Sequence, residues 1–211
     1  MSEQIIIRQA TKADLPGAVE ALVDAFKKDP VMSRALGGQM RIRRLRALFT
    51  FQIEHHFAQE EYGIIDVAVD DQGTVLGAAL WESPERKNDL MKDLHSARGY
   101  AKALKLGLAR AALVEVGLLR ARPVFTHWYL YCVGVHGSAR GKGVGGALLE
   151  YRCQQLGEYP AYLEASNYDA AALYRRHGFI EMGGFGKLSN AVLGMWRPSP
   201  VSVIDKNRGK R

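Results

Sequence analysis

Apolar and polar positions along the chain follow two periods, and the switches between them mark the elements. Ile5, Ile6 and Ile7 read as a strand, and Leu15, Val19, Leu22 and Phe26 then recur at helical spacing, the apolar stripe of a helix lying on a core. Thr11 or Asp14 stands where that helix needs a cap, and Pro16 suits its first turn. Ile42, Leu45, Leu48, Phe49 and Ile53 predict a second helix, with Arg41, Arg43, Arg44 and Arg46 on a solvated face. Two apolar runs between Gly63 and Trp81 flank Asp70-Asp71-Gln72-Gly73, a hairpin signal. His127 to Val135 is aromatic and β-branched, as a buried strand needs to be, and a short basic loop then meets the glycine-rich start of a helix. Residues 161–179 repeat the order strand, then helix, with Ala170, Leu173, Tyr174 and His177 along one stripe facing the sheet.

The loop after His127–Val135 carries the most chemistry. It runs Arg140, Gly141, Lys142, Gly143, Val144, Gly145, Gly146. Glycines at a helix start let backbone N–H groups approach a ligand, the helix dipole favours an anion, and two basic side chains add charge. A phosphate or pyrophosphate is the ligand this composition suits. The GxxxxGK[ST] loop of nucleotide hydrolases is absent, because no lysine here is followed by Ser or Thr. Gly141, Gly143 and Gly146 match a dinucleotide fingerprint literally, with Glu164 near the place of a ribose-binding acid. Against that reading, His136 to Arg140 separate the strand from the first glycine, and the chain after Ala165 is too short for further βαβ units. The remaining pattern is Arg140, two residues, Gly143, one residue, Gly145.

That pattern resembles the pyrophosphate-binding motif of the GNAT superfamily of acyl-CoA-dependent N-acyltransferases. A second stretch, AYLEASNYDAAALYRRHGF, resembles the superfamily's next strand and helix, with Asn167 after the strand, Tyr174 on the helix and His177-Gly178-Phe179 closing it. The pattern is most similar to the branch containing puromycin N-acetyltransferase: Ala25-Phe26 with Asp29-Pro30, Trp81 with Pro84, and Leu163-Glu164 with Ser166. The resemblance spans about residues 5 to 197, although the segment from Glu85 to Pro123 matches only in kind. It implies an α/β fold with a mixed, mostly antiparallel sheet, flanked by helices and splayed between its fourth and fifth strands. One acetyltransferase domain is expected over residues 1–200, with a helical insertion at about 85–123 before the fourth strand.

Composition and charge are compatible with that expectation. The chain has 211 residues and is 47% hydrophobic, enough for a full core without disulfides. Cys132 and Cys153 have neither metal-ligand nor redox spacing, which fits a reducing cytoplasm. No signal segment and no apolar run of membrane-spanning length is present, so no membrane partner is expected. Residues 201–211 form a basic tail expected to be disordered. The net charge of +7 invites a nucleic-acid reading, but no recognised motif accompanies it, and coenzyme A is itself polyanionic. His55-His56 and His95 read as helix-face residues, and no metal is needed. A monomer and a homodimer both remain open.

The implied reaction is attack of an amine on the thioester of acetyl-CoA, the cosubstrate, by direct transfer in a ternary complex. Charge develops on the carbonyl oxygen, and the leaving thiolate gains from a proton. The resemblance implies that backbone groups of Val133 and Val135 hold the pantetheine arm, that residues Arg140 to Gly146 hold the pyrophosphate, and that Tyr174 is the general acid. Asn167 is expected either to contact the pantetheine or to cap its helix, where a Ser166–Asp169 capping box competes for the structural role. Glu164 is the expected base, because a carboxylate on a central strand needs a partner or a job; a structural pair with an arginine or a tyrosine is its alternative role, and Glu82, His127 and water are rival bases. Phe26, Met32, Trp81, Trp128 and Tyr129 would border an aromatic acceptor cleft. A small-molecule primary amine is the expected acceptor. A peptide or protein amine is the nearest alternative, and a non-catalytic acyl-CoA sensor the alternative of another class.

Overall fold

The computed structural model describes residues 4–29, 32–33, 36, 41–57, 63–85, 122–184 and 193–200. Most of the expected insertion and the whole basic tail lie outside the described residues. Strand β1 (Ile6–Gln9) leads through a 3-10 turn over Lys12–Asp14 into helix α1 (Leu15–Phe26). Asp14 fixes this junction: its carboxylate accepts the Thr11 N–H and hydroxyl, each at 2.6 Å, and Arg8 Nη2 at 2.9 Å. Helix α2 (Arg41–Gln52) runs on into a π-turn over Ile53–Phe57. Leu45, Leu48, Phe49 and Ile53 are buried, whereas Ile42, expected on the same stripe, is 48% exposed near the helix start. The basic face is partly tied down: Arg46 Nε reaches Glu20 Oε1 of α1 at 2.6 Å, and Arg44 donates to the Leu36 carbonyl at 2.8 Å.

The hairpin forms as the apolar runs predict, from β2 (Gly63–Val69) and β3 (Val75–Glu82). Asp70 Oδ1 closes its turn by accepting from Gln72 N and Thr74 N at 3.0 and 2.7 Å. Then come β4 (Trp128–Val135), helix α3 (Val144–Cys153), β5 (Ala161–Ala165), helix α4 (Tyr168–Arg176), β6 (Ile180–Gly184) and β7 (Leu193–Arg197). The sheet has seven strands in the order β1-β2-β3-β4-β5-β7-β6. Every neighbouring pair is antiparallel except β4 and β5, which is the mixed, mostly antiparallel sheet expected.

Each face of the sheet carries its own core. On one, Leu22, Leu45, Phe49 and Ile53 of α1, α2 and the π-turn pack over Val67, Leu80 and Cys132. On the other, Val144, Leu148 and Tyr174 of α3 and α4 pack over Trp81, Leu130, Leu163 and Met195. A buried ion pair ties α3 to the sheet: Arg152 Nε donates to Asp66 Oδ2 at 2.8 Å, and both residues are almost wholly inaccessible. Burial pushes the Asp66 carboxyl pKa up while Arg152 pulls it down. Among the described residues no helix is long and apolar enough to cross a membrane.

The strands β4 and β5 pair over three positions only, Trp128↔Ala161, Tyr129↔Tyr162 and Leu130↔Leu163. The next residue of β4 is an insertion in the ladder: Leu80 faces Cys132 and Trp81 faces Leu130, so Tyr131 is a bulge. A bulge adds local twist and bends its strand. Leu130 and Val133 consequently face the α3–α4 core, while Tyr131 and Cys132 both face the α1–α2 core. Beyond the bulge β4 leaves β5, and the sheet opens as a fork.

Candidate active site at the fork

Backbone groups line one wall of the fork. Successive residues of an antiparallel strand turn their N–H and C=O alternately toward the partner and away. His136 N–H donates to Leu76 O at 2.8 Å, so Gly134 turns to β3, and Val133 and Val135 turn the other way, into the fork. Their side chains pack half-buried on the α3–α4 core.

At the open end lies the basic loop. Residues Gly137–Ala139 form a 3-10 turn, capped by His136 accepting from Ser138 N. Gly141 and Gly143 then have φ of 77° and 80°, a conformation that side chains with a Cβ resist. A Cβ built on either glycine meets nothing within 4 Å. The backbone there is open to a ligand, and Gly143 is the N-cap of α3, whose first N–H groups have no partner within the helix. Arg140 and Lys142 are exposed beside it. Val144 points inward and is buried, so it can offer only its N–H; Gly145 and Gly146 lie half-buried. An uncovered cradle of N–H groups with two cations is the donor set a diphosphate requires, so the loop fits that part of acetyl-CoA.

Tyr174 reaches the fork from the α3–α4 side. It is 8% exposed, sits edge-on to Phe179 at 6.1 Å, and its hydroxyl has no hydrogen-bond partner among the described residues. Burial, reinforced by Cys132 and Asp29, pushes its phenol pKa far up. Asn167 takes the N-cap of α4, its Oδ1 accepting from Ala170 N at 2.8 Å. The Ser166–Asp169 capping box expected at that helix is therefore not the one used. Asn167 Nδ2 keeps only a long contact with Ser166 Oγ at 3.4 Å.

Glu164 lies on the opposite face. Ala161, Leu163 and Ala165 belong to the α3–α4 core, so alternation turns Tyr162 and Glu164 to the α1–α2 side. Glu164 follows the last residue that pairs with β4, which puts it at the base of the fork. Tyr129 Oη donates to Glu164 Oε2 at 2.7 Å, and Arg122 Nε lies 3.8 Å from Oε1. The Arg122 guanidinium sits 3.7 Å above the Tyr129 ring and 3.7 Å from Glu82 Oε2. Tyr162 stacks on Tyr129 with centroids 6.2 Å apart. Burial, then the charge of Glu164, pushes the Tyr162 phenol pKa upward. His127 stands edge-on to Tyr162 at 5.8 Å, its imidazole pKa lowered mainly by burial. The structure thus gathers Glu164, Glu82 and His127, each singled out in the sequence, into one cluster. Arg122 and Tyr162, at its centre, carried no sequence signal, since one more arginine at the end of the expected insertion and one more strand tyrosine look like surface and core.

The residues expected around an acceptor divide differently. Tyr129 belongs to this cluster. Phe26 and Met32 pack partly buried on the α1–α2 core. Trp81 is wholly buried in the α3–α4 core, and Trp128 faces the same side, its Nε1 donating to Leu156 O at 3.2 Å. The two tryptophans therefore do not line the α1–α2 face.

The model of the family described as acetyltransferase (GNAT) domain matches residues 108–181, which include the fork, the loop and α4. A solved Corynebacterium glutamicum structure, called histone acetyltransferase HPA2 and related acetyltransferase, is 36% identical, with 97% of this chain and all of that one covered at a TM-score of 0.73. The fold is shared at lower identity by the Escherichia coli GNAT family N-acetyltransferase YhbS in complex with CoA, 16% identical over 93% of this chain and 83% of that one, at a TM-score of 0.51. It is shared too by the Escherichia coli ribosomal-protein-S18-alanine N-acetyltransferase, 17% identical over 96% and 98%, at 0.55. Full-length similarity at 36% identity and the domain match agree, and the chain belongs to the GNAT family as an acetyl-CoA-dependent N-acetyltransferase.

Proposed function

We propose that the chain acetylates the primary amine of a small molecule by direct attack within a ternary complex, at the fork between β4 and β5. The observation that carries this reading is the placement of two chemistries on opposite faces of one opening. Tyr174, with its hydroxyl unengaged, comes from the α3–α4 side, and the Glu164–Arg122–Tyr129 cluster from the α1–α2 side. Acetyl-CoA supplies the activated acetyl group. Arg140, Gly141, Lys142, Gly143 and the first N–H groups of α3 from Val144 to Gly146 hold its diphosphate, and the outward N–H and C=O groups of Val133 and Val135 hold its amide-bearing arm. Asn167 Nδ2 is placed to add one contact; its Oδ1 serves the helix cap.

The nitrogen, freed of one ammonium proton by Glu164, attacks the thioester carbonyl carbon, the C–S bond breaks, the thiolate takes the proton of Tyr174 Oη, and the second proton shed by the acetylated nitrogen restores the Tyr174 phenol. A phenol whose pKa is raised stays protonated, as a donor must. Glu164 anchors the incoming ammonium and then accepts its proton. The Tyr129 hydroxyl, donating to Oε2, and Arg122 beside Oε1 hold the Glu164 carboxylate in place for the anchoring step. Both cysteines support direct transfer over an acyl-enzyme: burial pushes Cys153 up to about 11 and Cys132 higher still, so neither is a thiolate at neutral pH.

Tyrosines beside Glu82 and Glu164, whose two charges Arg122 only half offsets, suit a cationic, ring-bearing amine, in keeping with the puromycin-like sequence features. The name of the 36% identical relative favours a second reading, a histone-like lysine acceptor. A panel of primary amines and lysine peptides, assayed for thiol release from acetyl-CoA, separates the two. Small amines turning over well ahead of peptides supports the first reading; the reverse order installs the second.

A further inference from the structure

One carboxylate ties α1 to the basic loop across more than a hundred residues of sequence. Asp24 Oδ2 accepts the Gly137 N–H at 2.8 Å, and Arg140 Nη2 approaches the Asp24 carbonyl at 3.2 Å and Oδ2 at 3.4 Å. Lys27 pairs with the other oxygen, Oδ1. The pKa of Asp24 lies below the ordinary carboxylate range, chiefly through Lys27, with burial opposing and the Gly137 N–H assisting, so the group is charged at neutral pH. The approach is built into the packing: a Cβ on Gly134 would come within 2.8 Å of Ala25 Cβ and 3.0 Å of Leu22 Cδ2, and one on Gly137 within 3.1 Å of Asp24 Oδ2.

A negative charge beside a diphosphate site works against binding by simple Coulomb repulsion. Its presence calls for a compensating task, and the short bond to Gly137 supplies one. We propose that Asp24 is a positioning residue for acetyl-CoA. It fixes Gly137, and through the Gly137–Ala139 turn the loop that follows, and it holds Arg140 until the diphosphate takes that guanidinium over. The bond to Gly137 carries the effect, because the Arg140 contact is longer and its side chain is 54% exposed, where ion pairs are screened. This inference rests on the loop being the diphosphate site.

The test is calorimetric binding of acetyl-CoA, with KM, kcat and melting temperature, for Asp24→Asn, Asp24→Ala and Lys27→Ala, beside Arg140→Ala and Gly143→Val. Asparagine keeps an oxygen for the Gly137 N–H; alanine does not. Asp24→Ala is expected to weaken acetyl-CoA about tenfold while kcat and the amine KM stay within about twofold, and Asp24→Asn to weaken it less than about threefold. Lys27→Ala should bind as wild type. Binding by Asp24→Ala as tight as wild type or tighter overturns the inference. So does an equal loss in Asp24→Asn, Asp24→Ala and Lys27→Ala, which would assign the effect to the helix-end ion pair. Unchanged binding by both Arg140→Ala and Gly143→Val would instead remove the loop reading itself, whatever Asp24 does.

Discussion

Tyr174 and Asp14 show how burial and partners set what one side chain can do. Tyr174 is buried with an unengaged hydroxyl and a raised pKa; if it is the proposed donor to the leaving thiolate, its loss should fall on kcat. Tyr174→Phe is expected to lower kcat ~100-fold or more while acetyl-CoA affinity holds, measured by steady-state kinetics and calorimetry. Because the shift is upward, the proton stays on above the ordinary phenol value of about 10, so this group should contribute no alkaline loss of kcat below that pH. For Asp14 the sign is opposite: Arg8, first, and then the Thr11 hydroxyl and N–H hold its carboxyl far below the usual range against burial. A lowered folded pKa contributes stability that is whole above the unfolded value of about 3.9 and is lost as pH falls toward the folded one. Asp14→Asn should therefore cost about 1–2 kcal/mol at neutral pH, and urea melts of variant and wild type should converge in strong acid. At this scale the sequence was legible where a motif fixes the backbone: Gly143 and Asn167 each start a helix and Tyr174 lies on the second of them. It was silent on Arg122, whose role depends on Glu82, Glu164 and Tyr129 arriving from three different segments.

The elements were readable because apolar period decides them, and α1, the hairpin, β4, α3, β5 and α4 all form where those periods change. What period cannot carry is how one element seats on another. The bulge at Tyr131 has no local signature, since it is a mismatch in length between β3 and β4, yet it coincides with the end of β4–β5 pairing. The Asp66–Arg152 pair is equally hidden: an acid in an apolar strand and an arginine on a helix meet 86 residues apart. Removing one partner strands a buried charge, so Asp66→Ala should destabilise the fold by about 3–5 kcal/mol, whereas Asp66→Leu with Arg152→Met should recover most of the loss. Chemical melts of wild type, Asp66→Ala, Asp66→Leu, Arg152→Met and the double variant decide it, and additive losses in the two single variants and their double would count against the pair acting as a unit. The seat of α1 on β4 is tighter still. A methyl at Gly134 would press on Ala25, Leu22 and Phe26, and Gly134→Ala is expected to cost about 1–3 kcal/mol as overpacking, visible as a lower urea midpoint.

For the molecule as a whole, the proposed function has the fork make one sheet serve two ligands. The side of α3 and α4 carries the loop and Tyr174; Glu164, Tyr129 and Arg122 meet on the sheet face that also bears α1 and α2. A cosubstrate lying in the opening would bridge β4 to β5 where, beyond Leu130 and Leu163, the strands no longer bridge themselves. Binding only the native state, it must stabilise the fold by mass action: acetyl-CoA at a hundred times its Kd contributes about 2.7 kcal/mol. For a chain of this length that corresponds to a rise in melting temperature of about 5–10 °C. Free CoA carries the same diphosphate and amide-bearing arm, so it should reproduce most of the rise. Gly143→Val, which forces a β-branched residue into a positive φ at the mouth of the loop, should abolish most of the shift for both ligands. Differential scanning fluorimetry across a ligand titration provides the measurement. A full shift retained in Gly143→Val would place the stabilising contacts along the β4 edge and Asn167 rather than at the diphosphate loop, because the edge groups of Val133 and Val135 with Asn167 Nδ2 are the other contacts assigned to the cosubstrate.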